Sequence, residues 1–218
     1  MVCLAGTGLV LEVLISPISS EIIEDVHNTC QTGLATVAFF YFDFRDAAKQ
    51  DARSLLSSIL IQLSNESDHF TEILSTLYST HGDGFRQPSI EALTQCLTTM
   101  LRLPGQGSLY VIIDALDESP NTSGLMPPRS EVLGIIQDLV DLGLSHFHLC
   151  VTSRPEVDIR EALEPMSQHV SLHDEVGQNQ DIVNYVNSVV CSHPKMRRWR
   201  EEDKKLVIDT LTKRAGGM

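Results

Sequence analysis

The sequence predicts an α/β fold, with a mainly parallel sheet and helices on both of its faces. Short and nearly continuously apolar segments alternate with longer segments whose apolar residues recur at helical spacing. Continuous apolar strands are typical of parallel sheets that are buried on both faces. The chain has 218 residues, of which 42% are hydrophobic and 21% charged, so it can form one sizeable core.

The first half of the chain contains two strands and four helices in this prediction. In order, they are a strand at 1–5, a helix over 20–30, a strand over 34–44, and helices over 45–67, 69–84 and 88–107. Ser89 is the predicted N-cap of the last of these helices. In the helix over 45–67, six apolar residues form one stripe: Ala52, Leu55, Leu56, Ile59, Leu60 and Leu63.

The second half repeats the alternation. Strands are predicted at 109–113, 147–153 and 169–175, and helices over 130–144, 155–165, 180–193 and 200–218. Pro155 is predicted to lie in the first turn of its helix, a position that proline favours. Because ligands of such sheets bind outside the carboxyl ends of the strands, we expect Asp114 and Arg154 to face one site.

Composition excludes several classes of function. The formal net charge of −13 argues against a general nucleic-acid-binding protein, which needs a basic face to neutralise phosphates. Five widely spaced cysteines without a C-x-x-C pair indicate reduced thiols rather than disulfides or a zinc site. The apolar N-terminus lacks a basic region, contains Glu12 and is too short to span a bilayer. We therefore expect a cytoplasmic protein that binds neither nucleic acid nor membranes.

The stretch LYVIIDALDE, at 109–118, is the strongest indication of chemistry. A carboxylate at the end of a buried strand, here Asp114, is the layout of a Walker B element, which holds Mg²⁺ through oxygen ligands. The small residue Ala115 leaves room for the ion, and Asp117 or Glu118 can orient a hydrolytic water. The alternative is a strand end whose acids are only solvated or cap the next turn.

Three further segments have competing interpretations. In LCVTSRP, at 149–155, Arg154 can reach a γ-phosphate as a sensor, or it can pair with surface acids. We interpret FYFDF, at 40–44, as a core strand rather than an aromatic nucleic-acid platform, because no basic residues are interleaved with it. The basic cluster KMRRWR, at 195–200, is interpreted as a solvated linker rather than a phosphate or membrane patch, since three acids follow it.

In this order and spacing, the segments resemble the NACHT family of STAND-type P-loop NTPases, above all the fungal proteins with nephrocystin-3-like N-terminal domains. The matching stretches are AFFYFDFRDAAKQDARSLLSSILIQL, LYVIIDALDE, HLCVTSRPEVDIREAL and KLVIDTLTKRAGGM. The resemblance implies a P-loop NTPase-like three-layer sandwich over 1–193, followed by the start of a helical lid at 194–218. It also implies ATP or GTP with Mg²⁺ as ligand.

The resemblance assigns a role to each acid and to the arginine. It implies that Asp114 is the Mg²⁺ carboxylate and that Asp117 and Glu118 lie near the attacking water. It implies that Arg154 is the sensor of the γ-phosphate.

The front of the chain departs from the family pattern. A P-loop reads G-x-x-x-x-G-K-[ST], and its lysine and hydroxyl serve the phosphates and Mg²⁺. Only Gly6, Thr7 and Gly8 remain as nucleotide-binding candidates here, and no lysine precedes Lys49. We therefore expect residues 1–19 to be a degenerate P-loop region, with little or no hydrolysis and weakened ATP binding.

The first functional prediction is a NACHT-type signalling switch module. In intact relatives, nucleotide shifts the protein between closed and assembled states, and attached repeats sense a ligand. Two alternatives stay open. One is a nucleotide-independent scaffold that self-associates or binds full-length relatives, and the other is a competent ATPase with an unconventional phosphate loop.

Overall fold

A computed structural model of the chain describes residues 2–5, 23–24, 35–122, 127–166, 168–170, 176–193 and 195–215. It divides into two compact units, residues 1–170 and residues 171–218. The domain boundary expected at residue 193 stays a prediction. Of the helix predicted over 20–30, only Ile23 and Glu24 are described, and both are helical.

The first unit is built on one sheet, which has five strands among the described residues in the order β2-β3-β4-β1-β5. The strands are β1 (Val2–Ala5), β2 (Ala35–Tyr41), β3 (Ser108–Asp114), β4 (Phe147–Thr152) and β5 (Gln168–Val170). Strands β2, β3 and β4 are parallel to one another, which confirms the predicted α/β class. Strand β1 lies between β4 and β5 and is antiparallel to both.

The three parallel strands end level with one another. Tyr41 is paired with Asp114, and Ile113 with Val151, so Asp114 and Thr152 close their strands side by side. The last four residues of β3, and likewise those of β4, are all buried. Since neighbouring residues of a strand point to opposite faces, both faces of these strand ends are covered.

Five helices of the first unit surround this sheet in the described ranges. They are α1 (Ala52–Ser64), α2 (Asp68–Thr80), α3 (Ile90–Leu101), α4 (Pro128–Asp141) and α5 (Val157–Leu163). All six residues of the stripe predicted for α1 are buried. Their side chains join those of the strands and of the other four helices in one apolar cluster.

The structure corrects two predicted helix starts, one of them through a capping side chain. The helix predicted from residue 45 begins only at Ala52, because Asp51 accepts the Ser54 N–H at 2.8 Å and fixes the N-cap there. Ser89 caps α3 as predicted, accepting the Ala92 N–H at 3.2 Å. The placement of Pro155 in a first helical turn was wrong, because Glu156 is the N-cap of α5 and Pro155 precedes it.

The second unit consists of two helices that pack against each other, α6 (Val176–Ser192) and α7 (Glu201–Ala215). Between them, the basic residues of the 195–200 segment are exposed, in keeping with a solvated linker. No helix in the described part of the chain is both long and apolar enough to cross a membrane.

Candidate functional site

A cleft of about 280 Å³ lies at the carboxyl ends of β2, β3 and β4. It brings together the four predicted residues at and beyond the ends of β3 and β4, namely Asp114, Asp117, Glu118 and Arg154. The loop after β2 adds Asp43, Arg45 and Lys49 to the same walls. Level strand ends explain this convergence, since parallel strands deliver the residues that follow them to one edge of the sheet.

Thr152 fixes the Asp114 carboxylate on the cleft floor. Asp114 is only 6% exposed. The Thr152 hydroxyl donates to Asp114 Oδ1 and accepts the Ala115 N–H at 2.9 Å. One short side chain on β4 therefore holds both the carboxylate at the end of β3 and the first peptide beyond it.

The backbone turns sharply immediately after Asp114. Ala115 adopts the left-handed conformation, with φ 55° and ψ 46°, which is unfavourable for a residue with a Cβ and worse for a branched one. A 3₁₀ turn, Leu116–Glu118, follows, and the Leu116 side chain is fully buried. This turn, here called the acidic turn, is anchored by Leu116 and places Asp117 and Glu118 at the cleft.

Asp117 and Arg154 are paired with each other. Asp117 Oδ1 accepts the Arg154 backbone N–H at 3.0 Å, and Oδ2 lies 3.4 Å from Arg154 Nε. The Asp117 side chain is 9% exposed and that of Arg154 is 70% exposed. The open alternative for Arg154, an ion pair with an acid, is thus present in the structure, and its partner is itself a predicted site residue.

Glu118 contacts a different element. Its Oε2 accepts the Phe44 N–H at 3.1 Å and so ties the acidic turn to the loop after β2. The two acids predicted to act as a pair therefore have separate partners, one on the β4 side and one on the β2 side.

The loop over residues 43–50, here called the β2 loop, has a defined shape. The Asp43 N–H donates to the Lys49 carbonyl at 3.2 Å, and Asp46 accepts the Ala48 N–H at 3.0 Å. Gln50 Nε2 donates to the Phe44 carbonyl at 2.7 Å. Sequence reasoning missed this loop because it treated residues 45–67 as one helix, although two cations directly after a strand end were a usable signal.

Arg45 extends along Asp43 at the start of the β2 loop. Its Nε lies 3.0 Å from Asp43 Oδ1, and its backbone N–H donates to the same oxygen. The side-chain hydrogen bond from Arg45, and then the backbone one, hold the pKa of Asp43 below its usual value. Asp43 is thus a stable anion that orients the Arg45 guanidinium.

Arg129 is a second residue that the sequence did not single out. It is buried in α4, and its Nε donates to the Ser119 carbonyl at 2.9 Å while Nη2 donates to the Asp117 carbonyl. Its Nη1 lies 3.3 Å from Asp158 Oδ1 on α5. Arg129 therefore clamps the acidic turn between two helices. Because Arg129 lies one residue before the predicted start of this helix, it was predicted to belong to a loop.

The chemistry of the donors fits one Mg²⁺ ligand at this site. Among the residues that the structure describes, no group of three or more His, Cys, Asp and Glu side chains could hold a metal ion. Mg²⁺ characteristically takes one or two carboxylates and completes its shell with water and substrate phosphates. Asp114 is a carboxylate of this kind, presented by a rigid strand end.

The candidate phosphate residues Gly6, Thr7 and Gly8 lie outside the described residues. The strand that precedes them, β1, runs antiparallel to β4, so that Ala5 is opposite Leu149 and Val2 is opposite Thr152. The last residue of β1, Ala5, therefore lies opposite a residue three positions before Thr152, which is about 10 Å from Thr152 along the strand. Strand β1 ends away from Asp114 rather than beside it.

Changing Thr152 to Val should lower the free energy of unfolding by about 1–2 kcal/mol. Valine has the shape of threonine but leaves the half-buried Ala115 N–H and the buried Asp114 carboxylate without the hydroxyl between them. Urea denaturation measures the change. Thr99→Val is the matched control, since the Thr99 hydroxyl bonds only within an exposed helix surface. Equal losses in the two variants would contradict the bridging role.

Comparison with known protein families identifies the family of the chain. The family described as Nephrocystin 3, N-terminal matches residues 16–154, which include β2, β3, β4 and the whole lining of the cleft. No curated protein matches the chain at a significant level. Because the family match covers more than half of the 218 residues, the chain belongs to the nephrocystin 3 N-terminal family.

Proposed function

We propose that the chain is a NACHT-type nucleotide-binding switch module of the STAND class, related to fungal NACHT proteins, that binds ATP or GTP with Mg²⁺ in this cleft. The observation that carries the proposal is the buried Asp114 carboxylate beside Thr152 at level parallel strand ends, with Arg154 in the same cleft. Sheets of this kind bind ligands at that edge. Family membership supports the same function.

Each side chain has a role that its contacts support. Asp114 would hold Mg²⁺, and the bound ion would neutralise charge on the phosphates. The Arg154 backbone N–H donates to Asp117 while the Arg154 side chain is 70% exposed, so the side chain can also contact an anionic group. Glu118 engages Phe44 through Oε2, which leaves Oε1 available to orient water.

Hydrolysis should be weak or absent in this chain. Its 218 residues contain no G-x-x-x-x-G-K-[ST] motif. Loss of a single preorganised charge-stabilising donor costs about 3–4 kcal/mol, or a hundred- to thousandfold in rate. We propose Gly6, Thr7 and Gly8 only as remnants of a phosphate loop, since β1 ends away from Asp114.

Isothermal titration with Mg·ATP and Mg·GTP tests the proposal. We expect wild-type binding that EDTA abolishes and that Asp114→Asn weakens by more than about tenfold, because a metal ligand is lost. Asp138→Asn, an exposed acid on α4, is the control and should leave the affinity unchanged. Binding that is indifferent to both EDTA and Asp114→Asn would overturn the metal role of Asp114.

A nucleotide-independent interaction scaffold is the second candidate, favoured by the direction of β1 and by the existing Asp117–Arg154 pair. In this case the partner is a second copy or a full-length relative, in the cytoplasm, and not nucleic acid or a membrane. Light scattering over a range of protein concentrations, with and without Mg·ATP, separates the two functions. Association that ignores nucleotide supports the scaffold.

A further inference from the structure

We propose that the β2 loop supplies the phosphate-binding charge of this site, with Lys49 as the main contact and Arg45 as its neighbour. The ligand class is the polyphosphate of a Mg²⁺-bound nucleotide. The inference rests on the proposed function and assigns the phosphate contact to the end of β2, a different part of the sheet from the strand that precedes Gly6.

The β2 loop begins where the cleft floor ends. The Phe42 N–H donates to the Asp114 carbonyl at 3.0 Å, so the first residue after β2 continues the pairing with β3. The hydrogen bonds from Asp43 to the Lys49 carbonyl, and from Gln50 to the Phe44 carbonyl, then fold the loop back on itself. Lys49 and Arg45 consequently line the cleft together with Asp114.

The pairing of charges in the cleft distinguishes Lys49 from the two arginines. Arg45 is paired with Asp43 at 3.0 Å, and Arg154 with Asp117 at 3.4 Å. Lys49 forms no ion pair with any residue that the structure describes, although it is one of the residues that line the same cleft. Among the described residues of the cleft, Lys49 is therefore the cation without an acid at ion-pair distance, and its remaining electrostatic influence is on Asp43, whose main partner is Arg45.

The net charge of the cleft explains why phosphate would arrive together with a metal ion. Among the described residues, four acids and three cations line it, which gives one net negative charge. A divalent ion on Asp114 changes this to one net positive charge, and a phosphate group can then bind both the ion and Lys49. A lysine suits this role because it is a point charge on a flexible stem with three donors.

An exposed loop lysine is more often simply solvated, and two observations favour a ligand here. Lys49 is among the residues that line a cleft whose floor is a buried carboxylate, and no other lysine of the described part of the chain lines that cleft. A phosphate at Asp114 would thus share its cleft with a lysine that pairs with no acid in the described part of the chain.

Titration of Mg·ATP and Mg·pyrophosphate into the variants Lys49→Gln and Lys49→Arg tests the inference. We expect Lys49→Gln to weaken both ligands by about tenfold and to flatten the salt dependence of the affinity. Lys49→Arg should stay within about threefold of wild type, because the charge is kept. Lys205→Gln makes the same charge change at an exposed position of α7 and should have no effect. Equal affinities for Lys49→Gln and Lys205→Gln would overturn the inference.

The design separates this inference from the proposed function. If Mg·ATP binding depends on Asp114 but not on Lys49, the inference fails and the proposed function stands. If pyrophosphate binding depends on Lys49 but not on Mg²⁺ or Asp114, the inference stands and the metal role of Asp114 fails. If the wild-type chain binds neither ligand, both fail. Thermal denaturation of each variant checks folding, which the exposed Lys49 side chain should not affect.

Discussion

Replacing Arg129 by methionine is expected to lower the free energy of unfolding by about 3 kcal/mol. Methionine keeps much of the buried volume but removes all the donors. The carbonyls of Ser119 and Asp117 then lose their hydrogen bonds, and Asp158 loses its ion pair. The Asp158 side chain is 31% exposed, so water partly compensates, and we expect the lower end of the range for broken buried pairs.

Arg160→Met is the matched control for this experiment. Arg160 lies on α5 and pairs with Glu164 at 3.5 Å, but both side chains are 51% exposed. Surface pairs at this spacing contribute about 0.3–0.5 kcal/mol. Urea denaturation followed by circular dichroism compares the two variants, and a loss for Arg129→Met no larger than for Arg160→Met would refute the clamping role.

Changing Leu116 to Ala should cost about 2–5 kcal/mol of unfolding free energy. Leu116 is fully buried in the apolar cluster and anchors the turn that carries Asp117 and Glu118. The truncated side chain leaves a cavity in the apolar cluster next to the turn that carries Asp117 and Glu118. The same denaturation experiment measures the loss.

Ile61→Ala serves as the control for Leu116→Ala. Ile61 lies on α1 with 56% of its surface exposed, so its truncation removes little buried area and should cost less than about 0.5 kcal/mol. Hydrogen exchange adds a local readout. The Ser119 amide, which donates to the Leu116 carbonyl at 3.1 Å, should exchange faster in Leu116→Ala and unchanged in Ile61→Ala. An unchanged Ser119 rate would argue against the anchoring role.

The sequence was informative wherever burial alone decides structure. The parallel strands that end at Asp114 and Thr152 were predicted to within one residue at their carboxyl ends, because continuous apolar runs indicate strands buried on both faces. The convergence of Asp114 and Arg154 in one cleft follows from the same fact. All six residues predicted for the apolar stripe of α1 are buried for a related reason, because helical periodicity indicates which face of a helix is buried.

The direction of strands and the pairing of side chains could not be predicted from the sequence pattern. Four apolar residues in β1 carry no signal of strand direction, so its antiparallel course was not predictable. The Arg154–Asp117 pair depends on the register of β3 against β4. The sequence did not single out the buried Arg129, because its partners are two backbone carbonyls of a turn and a carboxylate on another helix. The start of α1 was misplaced because the local cap at Asp51 outweighed the helical periodicity before it.

The cleft combines side chains of very different conformational entropy. Asp114 and Thr152 are short, buried and bonded to each other, so they have little rotational freedom left to lose when a ligand arrives. Lys49 and Arg154 are long and exposed, and each has up to about 2 kcal/mol of rotamer entropy to lose when it is ordered. We therefore expect Asp114 and Thr152 to fix the geometry of a bound ligand and the exposed side chains of Lys49 and Arg154 to adapt to it. The entropic cost of binding should then fall mainly on Lys49 and Arg154.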